Sequence, residues 1–127
     1  MTKEYKFRGK SKEHGWVYGD LLQYPNGEVY IMEHSDGQDL SYPVDPDTVG
    51  LFTGLLDYNG KEIYEGDLLE VANHKRDKEC IADVIFLDGE FWLHFPNEDL
   101  LNIKEVSECW VVIGNIHDHP ELLEGGK

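Results

Sequence analysis

Short apolar stretches recur along the chain, and turn-forming residues separate them. Residues 16–23 and 28–32 alternate apolar and polar positions, as expected of strands with one buried face. The segment between them ends in Asn26-Gly27, a dipeptide that supplies the positive backbone angles of tight hairpins. The pattern therefore predicts a first β-hairpin.

The next segment breaks this regularity. Residues 33–47 contain a Ser-Asp-Gly interruption and two prolines, Pro43 and Pro46, each of which pushes its predecessor out of the helical region. We expect an irregular connection here. A second hairpin is predicted where residues 51–55 and 62–64 flank the turn at residues 57–60.

The apolar segments lengthen in the second half of the chain, at residues 67–71, 80–87, 90–95 and 109–116. Asp88-Gly89 predicts a third hairpin between the second and third of these. A polar run at residues 73–79 indicates an exposed loop. Residues 100–105 and 120–124 each predict one helical turn, too short to be stable alone.

The number of short strands favours an all-β fold with minor helix. Four or five strands in the second half are too few for a two-sheet sandwich, and closure into a small barrel removes exposed edges. We therefore predict a C-terminal SH3-like small β-barrel over residues 63–127. A smaller, hairpin-rich β element over residues 1–62 precedes it, and the two pack as one compact unit.

The net charge of the chain and its distribution indicate which classes of partner are favoured. The 127-residue chain carries a net charge of −15, yet residues 1–12 carry five cations against one carboxylate, a basic arm of +4. An acidic surface repels phosphate backbones, so nucleic acid is an unfavoured partner. The acidity either keeps the protein soluble or presents carboxylates to a basic partner, in imitation of nucleic acid.

Composition also bears on location. There is no apolar run long enough for a transmembrane helix, and the N-terminus lacks the apolar core of a signal peptide, so we expect a cytoplasmic protein. Cys80 and Cys109 lie far apart beside apolar residues, which is typical of buried thiols rather than of a disulfide or a CxxC site.

The segment TVGLFTGLLDYNGKEIYEGD, residues 48–67, is the most tightly specified part of the chain. Its glycines fit positions that need a positive angle or have no room for a side chain, and its hydroxyl and carboxylate groups fit local bonds to the backbone. We therefore predict a structural role for this motif, in particular for Gly50, Thr53, Gly54, Asn59, Gly60, Gly66 and Asp67.

The residues of this motif, together with other short segments of the chain, resemble those of a known protein family. Residues 6–9 (KFRG), 16–19 (WVYG), 48–55, 59–67, 112–116 (VIGNI) and 120–123 (PELL) closely resemble the YopX-type proteins, small proteins of phage and prophage origin. The resemblance covers nearly the whole chain. It implies an all-β protein whose part from about Ile63 resembles an SH3-type barrel, and it supplies no activity, so no catalytic residue is carried over.

Candidate chemistry is sparse. His117 and His119 alternate, so on a strand they would face one side and could share a metal ion, but zinc needs three or four ligands and the other histidines lack motif spacing. No nucleophile elbow or phosphate loop is present. We predict no catalytic residue, no metal site and no cofactor.

Binding is better supported, by aromatic residues in excess of what a small barrel core holds. Trp16, Tyr64 and Trp92 are our candidate anchors for a partner. The first hypothesis is a non-enzymatic module that binds a protein or a second copy of itself as a homo-oligomer, with the basic arm on a neighbour's acidic surface. The alternative is a nucleic-acid-associated protein that uses the basic arm and aromatic stacking.

Overall fold

The protein is built almost entirely from antiparallel strands, in a computed structural model that describes residues 6–71, 81–105 and 110–124. The predicted all-β class is confirmed. The chain forms two compact units, Met1–Phe52 and Thr53–Lys127. Their boundary lies inside strand β5 (Gly50–Leu56), whereas the sequence-based division between residues 62 and 63 lies inside strand β6 (Glu62–Tyr64).

The first unit is one curled antiparallel sheet. Its strands are β1 (Phe7–Ser11), β2 (Gly15–Gln23), β3 (Val29–Ser35), β4 (Gln38–Val44) and the start of β5, in the hydrogen-bonded order β4-β3-β2-β1-β5. Val17, Ile31 and Val44 form its buried core. The curl brings the end of β4 to β1, where the Asp45 N–H donates to the Lys10 carbonyl (3.0 Å).

The first hairpin is confirmed, since β2 and β3 pair in register on either side of residues 24–28. The expected irregular connection at residues 33–47 is wrong, because β3 continues to Ser35 and returns as β4. Asp36 and Gly37 have φ of 49° and 76°, which makes them the two central residues of a tight hairpin turn. Pro43 is tolerated because β4 is the edge strand of the described sheet.

The basic arm also differs from expectation. Residues 7–11 of it form strand β1, which pairs with β2 through five residues and with β5 at Phe7 and Arg8. Gly9 must lack a side chain there, because a Cβ would lie 2.8 Å from a methyl carbon of Val44. Arg8 is only 5% exposed, and its guanidinium lies 4.7 Å from the Trp16 ring centroid. Because a charged residue occupies this buried position, the alternation of apolar and polar residues does not reveal the strand.

The second unit contains the end of β5, β6, and a five-stranded antiparallel sheet. The sheet strands are β7 (Asp67–Val71), β8 (Ile81–Leu87), β9 (Glu90–His94), β10 (Leu100–Asn102) and β11 (Trp110–Asn115), in the order β10-β9-β8-β7-β11. Seven buried residues form its core, namely Ile63, Leu69, Ala82, Val84, Leu93, Ile103 and Trp110. Strand β8 is apolar at every position except Asp83, which is explained by burial of its first four residues on both faces.

The second and third hairpins are confirmed, the third with Asp88 and Gly89 at φ of 53° and 82°. Residues 100–105 form strand β10 and a 3-10 turn, Ile103–Glu105, rather than a single helical turn, and helix α1 (Glu121–Glu124) matches the second predicted turn. Across the described ranges β10 and β11 remain the outer strands of their sheet, so the SH3-like barrel stays a prediction. The loop at residues 73–79, Cys80 and Cys109 lie outside the described residues.

Candidate functional site

The turn between β5 and β6 is organised by the carboxylate of Asp57. Its Oδ1 accepts hydrogen bonds from the N–H groups of Asn59 and Lys61 (2.8 Å each), and its Oδ2 accepts from the N–H of Val112 on β11 (2.9 Å). Asp57 is buried, and Tyr58 N–H donates to the Trp110 carbonyl beside it (2.8 Å). The carboxylate is therefore part of the fold, because three backbone donors occupy it.

Gly66 and Asp67 join the same motif to the second sheet. The N–H of Gly66 donates to the Val84 carbonyl (2.8 Å), and its carbonyl accepts from Ile116 (2.9 Å), with φ at +94°. Asp67 is 2% exposed and its Oδ2 accepts from the N–H of Tyr64 (2.8 Å). Two backbone bonds at Gly66 and one side-chain bond at Asp67 therefore hold the start of β7 in place.

The remaining motif residues also have structural roles. Thr53 Oγ1 donates to the Ile63 carbonyl (2.8 Å) and accepts from the Leu55 N–H (3.2 Å). Gly54 and Gly60 have φ of +88° and +83°, where other residues are strained. Gly50 is buried in β5 opposite Arg8, and Asn59 contributes the N–H that Asp57 accepts.

The three aromatic candidates lie in different settings. Trp16 is half-buried on β2, where Arg8 and Lys10 approach its ring at 4.7 and 6.0 Å. Trp92 is half-buried on β9 and its Nε1–H donates to the Leu87 carbonyl (3.2 Å). Tyr64 is only 2% exposed and its hydroxyl donates to Glu62 (3.1 Å), so in this conformation its ring offers no surface to a partner.

The two histidines near the C-terminus follow β11 in a turn and not on a strand, which corrects the geometry that would have paired them. Asn115 is buried and its Oδ1 accepts from the N–H groups of His117 and Asp118 (2.9 Å each). His119 Nδ1 accepts from the Asn115 N–H (3.2 Å). The turn therefore uses one ring nitrogen of His119 structurally.

His94 lies between two carboxylates in the second unit. Its Nδ1 is 3.1 Å from Asp83 Oδ1, and its Nε2 is 3.3 Å from Glu98 Oε1. Asp83 and His94 are directly opposite on β8 and β9, which places both side chains on one face. Burial acts to lower the pKa of His94, but the hydrogen bond and charge of Asp83, then those of Glu98, outweigh it and raise the pKa. Both ring nitrogens are thus engaged, which disfavours a general-base role.

This arrangement predicts a pH dependence. Because the folded pKa of His94 lies above 6.5, the stabilisation from its charged form is complete below that value and declines as pH rises through the folded pKa. NMR titration of the imidazole should show the raised pKa. We expect Asp83→Asn to lower it more than Glu98→Gln, because Glu98 is highly exposed to water. Equal effects of the two variants would contradict this assignment.

A second histidine cluster lies on the first unit. His34 on β3 contacts Asp20 on β2 and Asp39 on β4 at 2.7 Å each, and hydrogen bonds to Asp20, then to Asp39, raise its pKa. All three side chains are more than half exposed to solvent. Within residues 6–71, 81–105 and 110–124, no group of three or more histidine, cysteine or carboxylate ligands is arranged to hold a metal ion.

An open groove of about 840 Å³ lies on the first unit. Its walls are the turn after β1 and the end of β4, and His14 meets Tyr42 edge to face at 4.8 Å between ring centroids. Ser11 Oγ accepts from the His14 N–H (3.3 Å), and Thr48 Oγ1 accepts from the Lys10 N–H (2.8 Å). The lining is mainly apolar, with polar groups fixed by the fold, which is the usual character of a binding groove.

Sequence reasoning missed this groove because it placed both walls outside regular structure. Residues 1–12 were expected to be an arm and residues 33–47 an irregular connection. The signal was present in the alternation of Leu40, Tyr42 and Val44 with polar or small positions, which is a strand pattern that Pro43 obscured.

The fold and these sites together define a small all-β protein whose tightly specified turns are structural and which carries a groove beside an edge strand. The chain belongs to the YopX family, since the family model described as YopX protein matches residues 6–124. The resemblance drawn from the sequence motifs is therefore confirmed.

Two solved structures are similar to this chain. A crystal structure of protein EF1440 from Enterococcus faecalis has 25% sequence identity and a TM-score of 0.61, covering 96% of this chain and 99% of that chain. An X-ray structure of protein yopX from Bacillus subtilis has 24% identity and a TM-score of 0.56, covering 100% of both chains, which shows the fold alone. A comparison with curated proteins finds no match.

Proposed function

We propose that this chain is a non-enzymatic interaction module of phage or prophage origin that binds a protein partner in the bacterial cytoplasm. The observation that carries the proposal is the open groove beside β4, whose walls are an aromatic pair and an edge strand. Small domains bind protein segments at such features by pairing with the edge and by filling side-chain pockets.

The state of the polar groups supports a binding role over catalysis. Asp57 and Asp67, which stand out in the sequence motif, accept backbone hydrogen bonds, and both ring nitrogens of His94 face carboxylates. A general base needs a free acceptor and a place for substrate.

No described helix is long and apolar enough to cross a membrane.

The net charge of −15 favours a partner with a basic surface. Complementary charges accelerate encounter, and their contribution falls as salt screens it. A protein that presents carboxylates in this way would also act as an acidic mimic of nucleic acid toward a nucleic-acid-binding partner.

The test is recovery of a partner with the full-length tagged chain from host cells, followed by reconstitution of the two purified proteins. We expect a complex of fixed stoichiometry whose dissociation constant rises at least about tenfold between roughly 0.1 and 0.5 M salt. A chain that elutes alone under both conditions would contradict the proposal. Turnover of a substrate by the purified chain would contradict its non-enzymatic part.

A nucleic-acid-associated protein remains the second candidate, because cations lie over aromatic rings in the first unit. Lys6 is 5.5 Å from the Phe52 ring centroid, and Arg8 lies over Trp16. Removing the arm would destroy strand β1, so the test is a charge reversal of exposed Lys12. If a labelled single-stranded oligonucleotide binds at low salt and Lys12→Glu weakens binding, this candidate is favoured.

Two further proposals concern architecture. We take residues 63–127 to form an SH3-like barrel, for which nuclear Overhauser contacts between β10 and β11 are the test. Self-association into a homo-oligomer is an alternative use of the binding surface, and sedimentation at several concentrations decides it, since a monomer at all concentrations rules it out.

A further inference from the structure

The outer edge of β4 carries backbone groups that the sheet does not use. In the two-residue hairpin of β3 and β4, Ser35 and Gln38 flank the turn and exchange hydrogen bonds, and this pattern alternates along the ladder. Met32 and Ser41 therefore form a non-hydrogen-bonded pair, so the N–H and C=O of Ser41 point away from β3. Pro43 occupies the next outward position, where its missing N–H costs the ladder nothing.

Three depressions converge on this edge. The groove of about 840 Å³ is lined by residues 41–45 of the edge. A second depression is bordered by Pro43, Val44 and Pro46, and a third by Ser41 together with Tyr24 and Tyr30. Tyr24 and Tyr30 form an edge-to-face pair with ring centroids 5.3 Å apart. The outward face of Ser41 thus lies between an aromatic pair on each side, His14 with Tyr42 and Tyr24 with Tyr30.

Carboxylates outnumber lysines around this edge by a small margin, in a chain whose net charge is −15. Glu13, Glu28 and Asp45 line the depressions, against two lysines, Lys10 and Lys12. Each carboxylate near an approaching cation contributes modest attraction that salt screens. A strand-shaped ligand with basic side chains matches this surface better than an acidic one.

From this combination we infer that the edge of β4 is the docking site for an extended, positively charged peptide segment of a protein partner. The segment adds as a strand, its backbone exchanges hydrogen bonds with Ser41, and one apolar side chain packs against the His14–Tyr42 pair. This inference rests on the proposed function, and it names the binding mode and the chemistry of the partner.

The experiment is selection from a random peptide library on the full-length chain, followed by titration of selected synthetic peptides. We expect enriched sequences to carry lysine or arginine with β-branched or aromatic residues. Ser41→Pro removes the outward donor without touching the β3–β4 ladder, and it should weaken binding by about tenfold. Tyr42→Ala should weaken it as well, whereas Tyr58→Ala, at an exposed tyrosine in the second unit, should not.

A second experiment changes the peptide instead of the protein, so its result does not depend on whether the protein variants fold. Backbone N-methylation at alternate residues blocks one edge of an added strand and leaves the other free. Of the two alternate N-methylation patterns, one should abolish binding and the other should retain it.

Three outcomes overturn the inference. They are a library without enriched peptides, selected peptides without cations, and binding that Ser41→Pro, Tyr42→Ala and both N-methylation patterns leave unchanged. If a partner protein still forms a complex while any of these is observed, the proposed function stands and only the docking mode is wrong.

Discussion

Replacing Gly19 with alanine is expected to destabilise the first unit by more than about 4 kcal/mol, enough to unfold it at ambient temperature. Gly19 lies where β2 stops pairing with β1 and begins pairing with β3. A Cβ at this position would lie 2.0 Å from the Met32 carbonyl oxygen. The obstructing atom belongs to the backbone of β3, so the clash is relieved only by separating two paired strands.

The matched control is Gly27→Ala. Gly27 also has a positive φ, +93°, but a Cβ there meets nothing within 4 Å, so the cost is limited to backbone strain of about 1–2 kcal/mol. Denaturant unfolding gives the free energies. Trp16 is in the first unit, whereas Trp92 and Trp110 are in the second, so their indole NMR signals report each unit separately. Equal destabilisation by the two variants would show that steric contact at Gly19 is unimportant.

The second large effect is expected at Asp57. Asp57→Ala leaves three backbone N–H groups without their acceptor and should lower the free energy of unfolding by about 3–5 kcal/mol. Two of these bonds close the local turn, and the third ties that turn to β11, 55 residues away in sequence. Amide hydrogen exchange at Val112 should accelerate in the variant.

Asp57→Asn keeps the shape of the side chain and removes its negative charge. An amide has one acceptor oxygen, so it can satisfy the turn or Val112 but not both, and we expect an intermediate loss. Asp88→Asn is the control, since Asp88 is an exposed turn residue with φ of 53°, a conformation that asparagine tolerates. A loss at Asp57→Asn no larger than at Asp88→Asn would contradict the structural role of the carboxylate.

The hairpins were predictable because their determinants are local. Gly27, Gly60 and Gly89 adopt positive φ within the turns that the sequence indicated, and the flanking strands follow from apolar alternation. The structural nature of the 48–67 motif was also predictable from turn chemistry. Its key long-range bond was not, because nothing local to Asp57 indicates that Val112 is its third donor.

Strands β1 and β4 were not predicted from the sequence, for a different reason. In β1 the positions that would identify a strand are Gly9, whose side chain is excluded by Val44, and Arg8, whose charge is buried against Trp16. In β4 the proline that argued against a strand occupies an outward position of an edge. The unusual residues in β1 and β4 are both tolerated because of which strands are neighbours in the sheet, and that pairing is set by the tertiary structure.

The sequence by itself determined the all-β class, the three hairpin turns and the family, because turn geometry and side-chain alternation are set within a few residues. Only the tertiary structure decided that the basic segment is an inner strand, that His117 and His119 lie in a turn, and that an edge strand lines a groove. Those features depend on pairing between distant segments, where packing and backbone hydrogen bonding outweigh local preference.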